Sequence, residues 1–124
     1  MPSTKTILIV DDEEIVRRLV CIALHGSACE DVLEADSATS AWEISREHPG
    51  PIHLLVSDVV MPGEMNGADL AMKVGDARPE TKVLLMSGYD DLALEMKRGW
   101  HFIRKPFAPT ELRERVQTIL EHRV

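Results

Sequence analysis

Short, mainly apolar segments alternate with longer amphipathic segments along the chain; two of the short segments contain one polar residue each, Glu34 and His53. Uninterrupted apolar runs are typical of β-strands that are covered on both faces, because neither face of such a strand meets water. The amphipathic segments repeat apolar side chains every three or four residues, which predicts helices with one buried face. The predicted strands span residues 7–10, 32–35, 52–56, 83–86 and 102–103.

The first and last amphipathic segments carry the clearest helical pattern. Pro109 suits the first turn of the last helix, whereas Ala108 before it is a weak N-cap. A third helix is expected at about residues 68–76, after the Asn66-Gly67 turn. The predicted buried side chains are Ile15, Leu19, Ile22 and Ala23 in the first helix and Leu112, Val116, Ile119 and Leu120 in the last.

These elements form five strand-then-helix units without a linker, a repeat or a low-complexity segment. Such alternation predicts an α/β fold with a parallel sheet and right-handed crossovers. We expect one domain over residues 1–124. The helix between the fourth and fifth strands is the least defined, because only 17 residues separate Ser87 from Lys105.

Polar residues stand at the ends of four of the five predicted strands: Asp11-Asp12, Asp58, Ser87 and Lys105. Each has an ordinary explanation when taken alone, such as a favourable helix dipole, a turn or a surface lysine. Their joint placement is more informative, because ligands of open parallel sheets bind beyond the carboxyl ends of the strands. We therefore expect three carboxylates, a hydroxyl and an ammonium to meet at one edge of the sheet.

Charge repulsion limits what this group of side chains can do. Three ionised carboxylates a few ångströms apart either raise their pKa values or hold a cation, and an oxygen-only ligand set suits Mg²⁺. Lys105 and Ser87 then offer a charge and a donor to phosphoryl oxygens. A carboxylate beside Mg²⁺ is a feasible nucleophile toward phosphorus, and Asp58 lies in the middle of the edge.

Composition narrows the class of partner. The net charge of −7, with no basic stripe, argues against direct binding to nucleic acid and favours cations or basic protein surfaces. No apolar run approaches the roughly 20 residues that cross a bilayer, so no membrane insertion is expected. The N-terminal MPSTKT is too short and polar for a secretory signal, which makes the cytoplasm the expected compartment.

The two cysteines, Cys21 and Cys29, form neither a disulfide framework nor a metal-ligand set. We expect Cys21 to be a reduced thiol buried in a helix and Cys29 to lie in a loop. A redox switch between them is the alternative.

Four segments carry a resemblance to a known family: ILIVDDE, LLVSDVVMPGEMNG, LLMSGY and FIRKPF, in that order. The chain resembles a response-regulator receiver domain, the module that takes a phosphoryl group from the phosphohistidine of a sensor kinase. The resemblance covers essentially the whole chain. It implies a single flavodoxin-like (βα)5 domain with the doubly wound strand order 2-1-3-4-5. It also implies a histidine kinase or a histidine phosphotransfer protein as partner, and a downstream protein target that the chain does not identify.

The resemblance assigns roles around a magnesium site. Asp58 is the implied phosphoacceptor and a metal ligand. Asp12 is implied to bind Mg²⁺ directly and Asp11 largely through water, with the backbone carbonyl of Val60 as a further ligand. An apolar side chain at Val60 cannot orient a hydrolytic water, so slow self-dephosphorylation is expected.

The resemblance also implies a switch. Ser87 senses the phosphoryl group by a hydrogen bond, Lys105 pairs with its charge, and Phe102 is the switch aromatic, which rotates inward. Pro106 matches a family proline that follows a cis peptide bond, although for an X-Pro bond in general the trans form is favoured.

Two departures from the common family pattern point to a subgroup. MPGEMNG has one residue more than usual before the Asn-Gly turn, and the span from Ser87 to Lys105 is short. Both features are associated with receivers of hybrid histidine kinases. A shortened helix in that span puts the family's usual output and dimerisation face in doubt.

Three alternatives use the same residues or the same fold. A small Mg²⁺-dependent hydrolase that forms an aspartyl phosphate needs a second acid two residues after the nucleophile, where this chain has Val60. A flavin or nucleotide module needs a glycine-rich loop after the first strand, where this chain has DDEEIVRR. A docking-only pseudo-receiver lacks one of the acids or the lysine. A phosphoacceptor signalling domain, rather than an enzyme, is therefore expected.

Overall fold

The structure is a computed structural model that describes residues 5–24, 29–88 and 99–121. Five parallel strands form one sheet in the order β2-β1-β3-β4-β5, which confirms the predicted doubly wound topology. Each predicted strand is present, with small shifts at its ends; the third begins after Ile52, which is nevertheless buried. The strands are β1 Lys5–Val10, β2 Cys29–Ala35, β3 Leu54–Asp58, β4 Lys82–Ser87 and β5 His101–Arg104.

The described residues contain four helices, none of them long and apolar enough to cross a membrane. The helix predicted between β4 and β5 falls on residues 89–98, which lie outside the described residues. The others are α1 Glu14–Leu24, α2 Ala38–Glu47, α3 Gly67–Ala77 and α4 Pro109–Glu121.

The sheet separates two apolar clusters. Ile7 and Ile9 of β1 face the cluster shared with α1 and α4, whereas Leu8 and Val10 face the cluster shared with α2 and α3. All four side chains are fully buried, and each such burial contributes about 1.5–3 kcal/mol. Because both faces of the strand are covered, its sequence is apolar without alternation.

The buried face predicted for α1 is wrong for three of its four residues. Ile15, Leu19 and Ile22 are 75%, 53% and 68% exposed, whereas Val20 and Leu24 are fully buried. The helix carries apolar side chains on two faces, and the 3.6-residue period does not distinguish the face that meets the sheet. In α4 the predicted face is confirmed, with three of its residues buried and the fourth half-buried: Leu112, Val116, Ile119 and Leu120.

Cationic side chains from neighbouring elements cap helix C-termini at the edge of the sheet where the strands begin. Arg113 of α4 donates to the Ala23 carbonyl in α1 at 2.8 Å, and Lys82 of β4 donates to the Ile119 carbonyl in α4 at 2.9 Å. Such bonds satisfy carbonyls that have no partner within their own helix. Arg78 caps α2 in a similar way: it donates to the carbonyl of Ser45 in the last turn of the helix and to the carbonyls of His48 and Gly50 after it.

Cys21 is a half-buried free thiol in α1. Burial, assisted by the neighbouring Glu34 carboxylate, raises the pKa of this thiol to about 11. The thiol is therefore protonated and weakly nucleophilic at neutral pH, in keeping with the predicted reduced state. Cys29 is the first residue of β2 rather than part of a loop, because the strand begins three residues earlier than predicted; its side chain lies outside the described part of the structure.

His53 joins the beginnings of β1 and β3 through its side chain as well as its backbone. Its Nδ1 accepts a hydrogen bond from the Thr6 amide at 2.9 Å, and its own amide donates to the Thr6 carbonyl at 2.8 Å. Burial, with the positive charge of Lys5, lowers the pKa of His53 below its ordinary value. Protonation at Nδ1 would also remove the acceptor that Thr6 uses.

The first prediction concerns the dependence of stability on pH. Because the pKa of His53 is lowered by folding, its contribution is fully present above the ordinary histidine pKa of about 6.5 and is lost as the pH falls through the lowered value. His53→Asn keeps an acceptor near the Nδ1 position but does not titrate. Urea unfolding at several pH values should show the wild type losing stability relative to this variant on acidification. Parallel stability curves for the two proteins would contradict the assignment.

Candidate functional site

The ends of three strands bring an ammonium group between two carboxylates. Asp11 directly follows β1, Asp58 is the last residue of β3, and Lys105 directly follows β5. The Lys105 Nζ lies 3.3 Å from Asp11 Oδ2 and 3.1 Å from Asp58 Oδ2. Ser87 ends β4, is buried, and its carbonyl accepts the Lys105 amide at 2.8 Å. Asp11, Asp58 and Lys105 therefore meet at one edge of the sheet, as the strand ends predicted.

Asp11, Asp12 and Asp58 form a compact acidic cluster. One carboxylate oxygen of each lies within 4.8 Å of the others. Asp11 is fully buried; its Oδ1 accepts the Glu13 amide at 2.9 Å while its Oδ2 contacts Lys105. Asp12 is exposed. Protein donors already engage both carboxylate oxygens of Asp11. The exposed Asp12 carboxylate is therefore more accessible to a cation from solvent.

The electrostatics of the site are only partly balanced. Burial raises the pKa of Asp58, and the charge of Asp11 adds to the rise, whereas the hydrogen bond and charge of Lys105 act in the opposite direction. Burial also disfavours the charged form of Lys105, but its hydrogen bonds and charge interactions with both carboxylates outweigh this and raise its pKa. One ammonium faces three carboxylates, so the cluster carries excess negative charge.

The donor set of this cluster fits a hard divalent cation. All three candidate ligands are carboxylate oxygens, and a bound cation would offset their mutual repulsion. Magnesium prefers such oxygen ligands and commonly keeps several waters beside one or two carboxylates. The role predicted for the Val60 carbonyl stays a prediction; the Val60 amide donates to Asp58 Oδ1 at 3.4 Å.

The chain matches the family model of the response regulator receiver domain over residues 7–117. It belongs to this family. It is 35% identical to chemotaxis protein CheY1 of Helicobacter pylori, over 92% of this chain and 95% of that protein. It is 36% identical to sensor kinase CckA of Brucella abortus, over 98% of this chain but only 13% of the kinase.

A solved structure extends the second match. The receiver domain of the hybrid histidine kinase CckA superposes with a TM-score of 0.79 and 35% identity, covering 94% of this chain and 99% of that one. The predicted likeness to receivers of hybrid histidine kinases is confirmed by these two matches.

The loop of the receiver after β3 depends on a close approach that sequence reasoning missed. A Cβ atom at Gly67 would lie 1.9 Å from the Asp58 carbonyl oxygen. The Gly67 amide also donates to the Val59 carbonyl at 2.9 Å, and Asn66 caps α3 in a reciprocal capping box with Asp69. The sequence places Gly67 in a turn, and the structure shows why a glycine is needed there: the start of α3 lies against the backbone of Asp58.

The predicted switch residues, Ser87 and Phe102, lie on β4 and β5, which are the last two strands in the order of the sheet. Phe102 of β5 is half-buried against the cluster of α2 and α3, and its carbonyl accepts a hydrogen bond from Arg115 of α4. The peptide bond between Lys105 and Pro106 is cis, as the family resemblance implied. The switching roles of Ser87 and Phe102 stay predictions.

The second prediction tests the close approach at Gly67. Gly67→Ala should destabilise the receiver by about 1–3 kcal/mol, because the new methyl group overlaps backbone that cannot rotate away. It should also shift the amide resonances of Asp58 and Val59 in nuclear magnetic resonance spectra.

Gly75 of α3 is the matched control, because a Cβ there meets no atom within 4 Å. Gly75→Ala should stabilise the helix by about 0.5–1 kcal/mol. Equal unfolding midpoints for Gly67→Ala and the wild type would disprove the proposed contact.

Proposed function

We propose that this receiver accepts a phosphoryl group on Asp58 from the phosphohistidine of a histidine kinase or histidine phosphotransfer protein. Mg²⁺ bound by Asp11, Asp12 and Asp58 is the proposed cofactor, and the cytoplasm, where ATP-dependent kinases work, is the proposed compartment. The observation that carries the proposal is the Lys105 ammonium held between the Asp11 and Asp58 carboxylates at one sheet edge.

The proposed transfer uses side chains that lie at this edge of the sheet, together with Mg²⁺. An Asp58 carboxylate oxygen attacks phosphorus, the new O–P bond forms, and the N–P bond to the donor imidazole breaks with its electron pair staying on nitrogen. Lys105 exchanges its carboxylate contact for a phosphoryl oxygen, and the Ser87 hydroxyl donates to another. Asp11, Asp12 and Asp58 would hold Mg²⁺, which would supply positive charge to offset the negative charge of the reacting groups.

A surface beside the site suits the donor. Five large apolar side chains are exposed among the described residues, and three of them, Ile15, Leu19 and Ile22, occupy one face of α1. A groove next to this face is lined by Val16, Leu19, Lys105, Pro106 and Phe107.

An incoming phosphohistidine must reach Asp58 next to Lys105, so its protein must cover this border of the receiver. An apolar helical surface of the donor would then remove Ile15, Leu19 and Ile22 from water. We propose this face, together with the groove, as the docking surface of the phosphodonor.

The geometry gives less support to the alternatives. A phosphohydrolase would place an acid two residues after its nucleophile, and Val60 presents a 64% exposed apolar side chain there. A docking-only pseudo-receiver needs no assembled site, yet two of the three predicted acids, Asp11 and Asp58, are in contact with Lys105 here. We therefore propose a phosphoacceptor domain that changes partner affinity rather than an enzyme with a separate substrate. We also propose that Asp58 stays phosphorylated for a long time, because the apolar Val60 side chain cannot orient a hydrolytic water.

The third prediction tests the acceptor. Intact-mass analysis after treatment with acetyl phosphate and Mg²⁺ should show one added phosphoryl group on the wild type and none on Asp58→Asn. Chelation with EDTA should abolish the adduct, because the cation offsets charge between two anionic reactants.

Asp36 provides the matched control. It is an exposed aspartate that directly follows β2, outside the acidic cluster, and Asp36→Asn should be phosphorylated like the wild type. Phosphorylation of Asp58→Asn at the wild-type rate would refute the proposal.

The fourth prediction tests the donor surface. With an autophosphorylated histidine kinase that labels the wild type, Ile15→Glu and Ile22→Glu should each slow transfer at least about tenfold, because a charge would be buried against an apolar partner. Labelling by acetyl phosphate, which needs no docking, should be unchanged.

Met72→Glu is the control, because Met72 is 38% exposed on α3, away from α1. Wild-type transfer rates for both α1 variants would remove this face from the donor interface without affecting the assignment of Asp58.

A further inference from the structure

Arg17 of α1 connects the acidic cluster to β2. Its Nη1 donates to the Asp11 carbonyl at 2.8 Å, and its Nε lies 3.6 Å from Glu34 Oε1. The Arg17 side chain is only 17% exposed, whereas that of Arg18 is 73% exposed and pairs with Glu14 on the same helix. One of two adjacent arginines is thus built into the site, and the other lies on the surface.

The Asp11 carbonyl that Arg17 holds is part of the peptide group that joins Asp11 to Asp12. On the other side of Asp11, its amide donates to the Ala35 carbonyl of β2 at 3.2 Å. Both backbone polar groups of Asp11 are therefore fixed, one by the sheet and the other by Arg17. Since the Asp11 carboxylate is also held by Lys105 and the Glu13 amide, the orientation of this peptide decides where Asp12 projects.

We propose that Arg17 is a positioning residue for the divalent cation: it fixes the Asp11–Asp12 peptide so that the Asp12 carboxylate faces Asp58. This inference rests on the proposed metal site and adds a residue to it. Residues that hold metal ligands in position through hydrogen bonds typically support metal affinity: it falls about 10- to 100-fold when they are removed.

The charge of Arg17 has the opposite effect on a cation, and the two effects can be separated. A guanidinium near the cluster repels a divalent ion, so its removal would by itself tighten binding. Loss of the hydrogen bond to the Asp11 carbonyl would weaken binding, because Asp12 is no longer held. Weaker metal binding after removal of Arg17 therefore indicates that it positions Asp12, whereas tighter binding indicates only charge repulsion.

The test measures binding of Mn²⁺, a hard ion with oxygen preferences like those of Mg²⁺, from the electron paramagnetic resonance signal of the free ion. Arg17→Gln should raise the dissociation constant about tenfold. Arg17→Lys, which can donate to the Asp11 carbonyl but not also span to Glu34, should fall between Arg17→Gln and the wild type. Arg18→Gln, one residue away, should bind like the wild type.

Unchanged or tighter Mn²⁺ binding by Arg17→Gln would overturn the inference, as would equal weakening by Arg18→Gln. If Arg17→Gln does not fold, Arg17→Met, which has a similar length but no donor for the Asp11 carbonyl, decides: a wild-type dissociation constant overturns the inference and a raised one supports it. Unfolding free energies without metal are measured in parallel, because a merely structural role would lower stability while leaving the Mn²⁺ affinity of the folded protein unchanged.

Failure of the proposed metal site gives a different result. Wild-type protein that binds Mn²⁺ no better than Asp12→Asn would overturn both the site and the role of Arg17. Mn²⁺ binding that is lost in Asp12→Asn but unaffected in Arg17→Gln would overturn the role of Arg17 alone.

Discussion

Repulsion among three carboxylates at one edge of the sheet is the constraint on which the site depends. The parallel strands place Asp11 and Asp58 against a single ammonium, that of Lys105, with Asp12 beside them. The Lys105 ammonium alone does not balance three carboxylates, and the Arg17 guanidinium is shared with Glu34. Burial makes the remaining imbalance more costly. A divalent cation would offset this excess of negative charge, which is the role proposed for Mg²⁺.

Holding unfavourable charges together requires rigid support, which the remainder of the fold supplies. Apolar clusters cover both faces of the sheet, so the ends of β1 and β3 cannot move apart without exposing core. At the opposite edge, cationic side chains such as Arg78 and Arg113 cap helix C-termini. Basic groups there satisfy helix carbonyls, while acidic groups collect where the strands end. The edge that holds the acidic cluster therefore keeps its excess of negative charge.

The sequence predicts those features that depend on neighbours along the chain or on the regular geometry of strands. Continuous apolar runs identify the strands, and parallel pairing then implies that Asp11, Asp58 and Lys105 meet. Contacts between elements that follow no periodic rule are not predictable in this way. The hydrogen bond of Arg17 to the Asp11 carbonyl and the approach of Gly67 to Asp58 depend on how a helix sits against a strand end. For the same reason, apolar spacing in α1 could not distinguish the face that meets the core from the face that meets water.

The incorrectly predicted face of α1 has a physical meaning. Three large apolar side chains on one helix face gain nothing from exposure, and they lie on the helix that begins immediately after Asp11 and Asp12. A partner that covered this face, as proposed, would also exclude water from the neighbouring acidic cluster. Exclusion of water lowers the local dielectric constant and strengthens the attraction of Lys105 for a phosphoryl group. The proposed donor contact would therefore also favour the proposed transfer, which would link the apolar surface of α1 to the chemistry of Asp58.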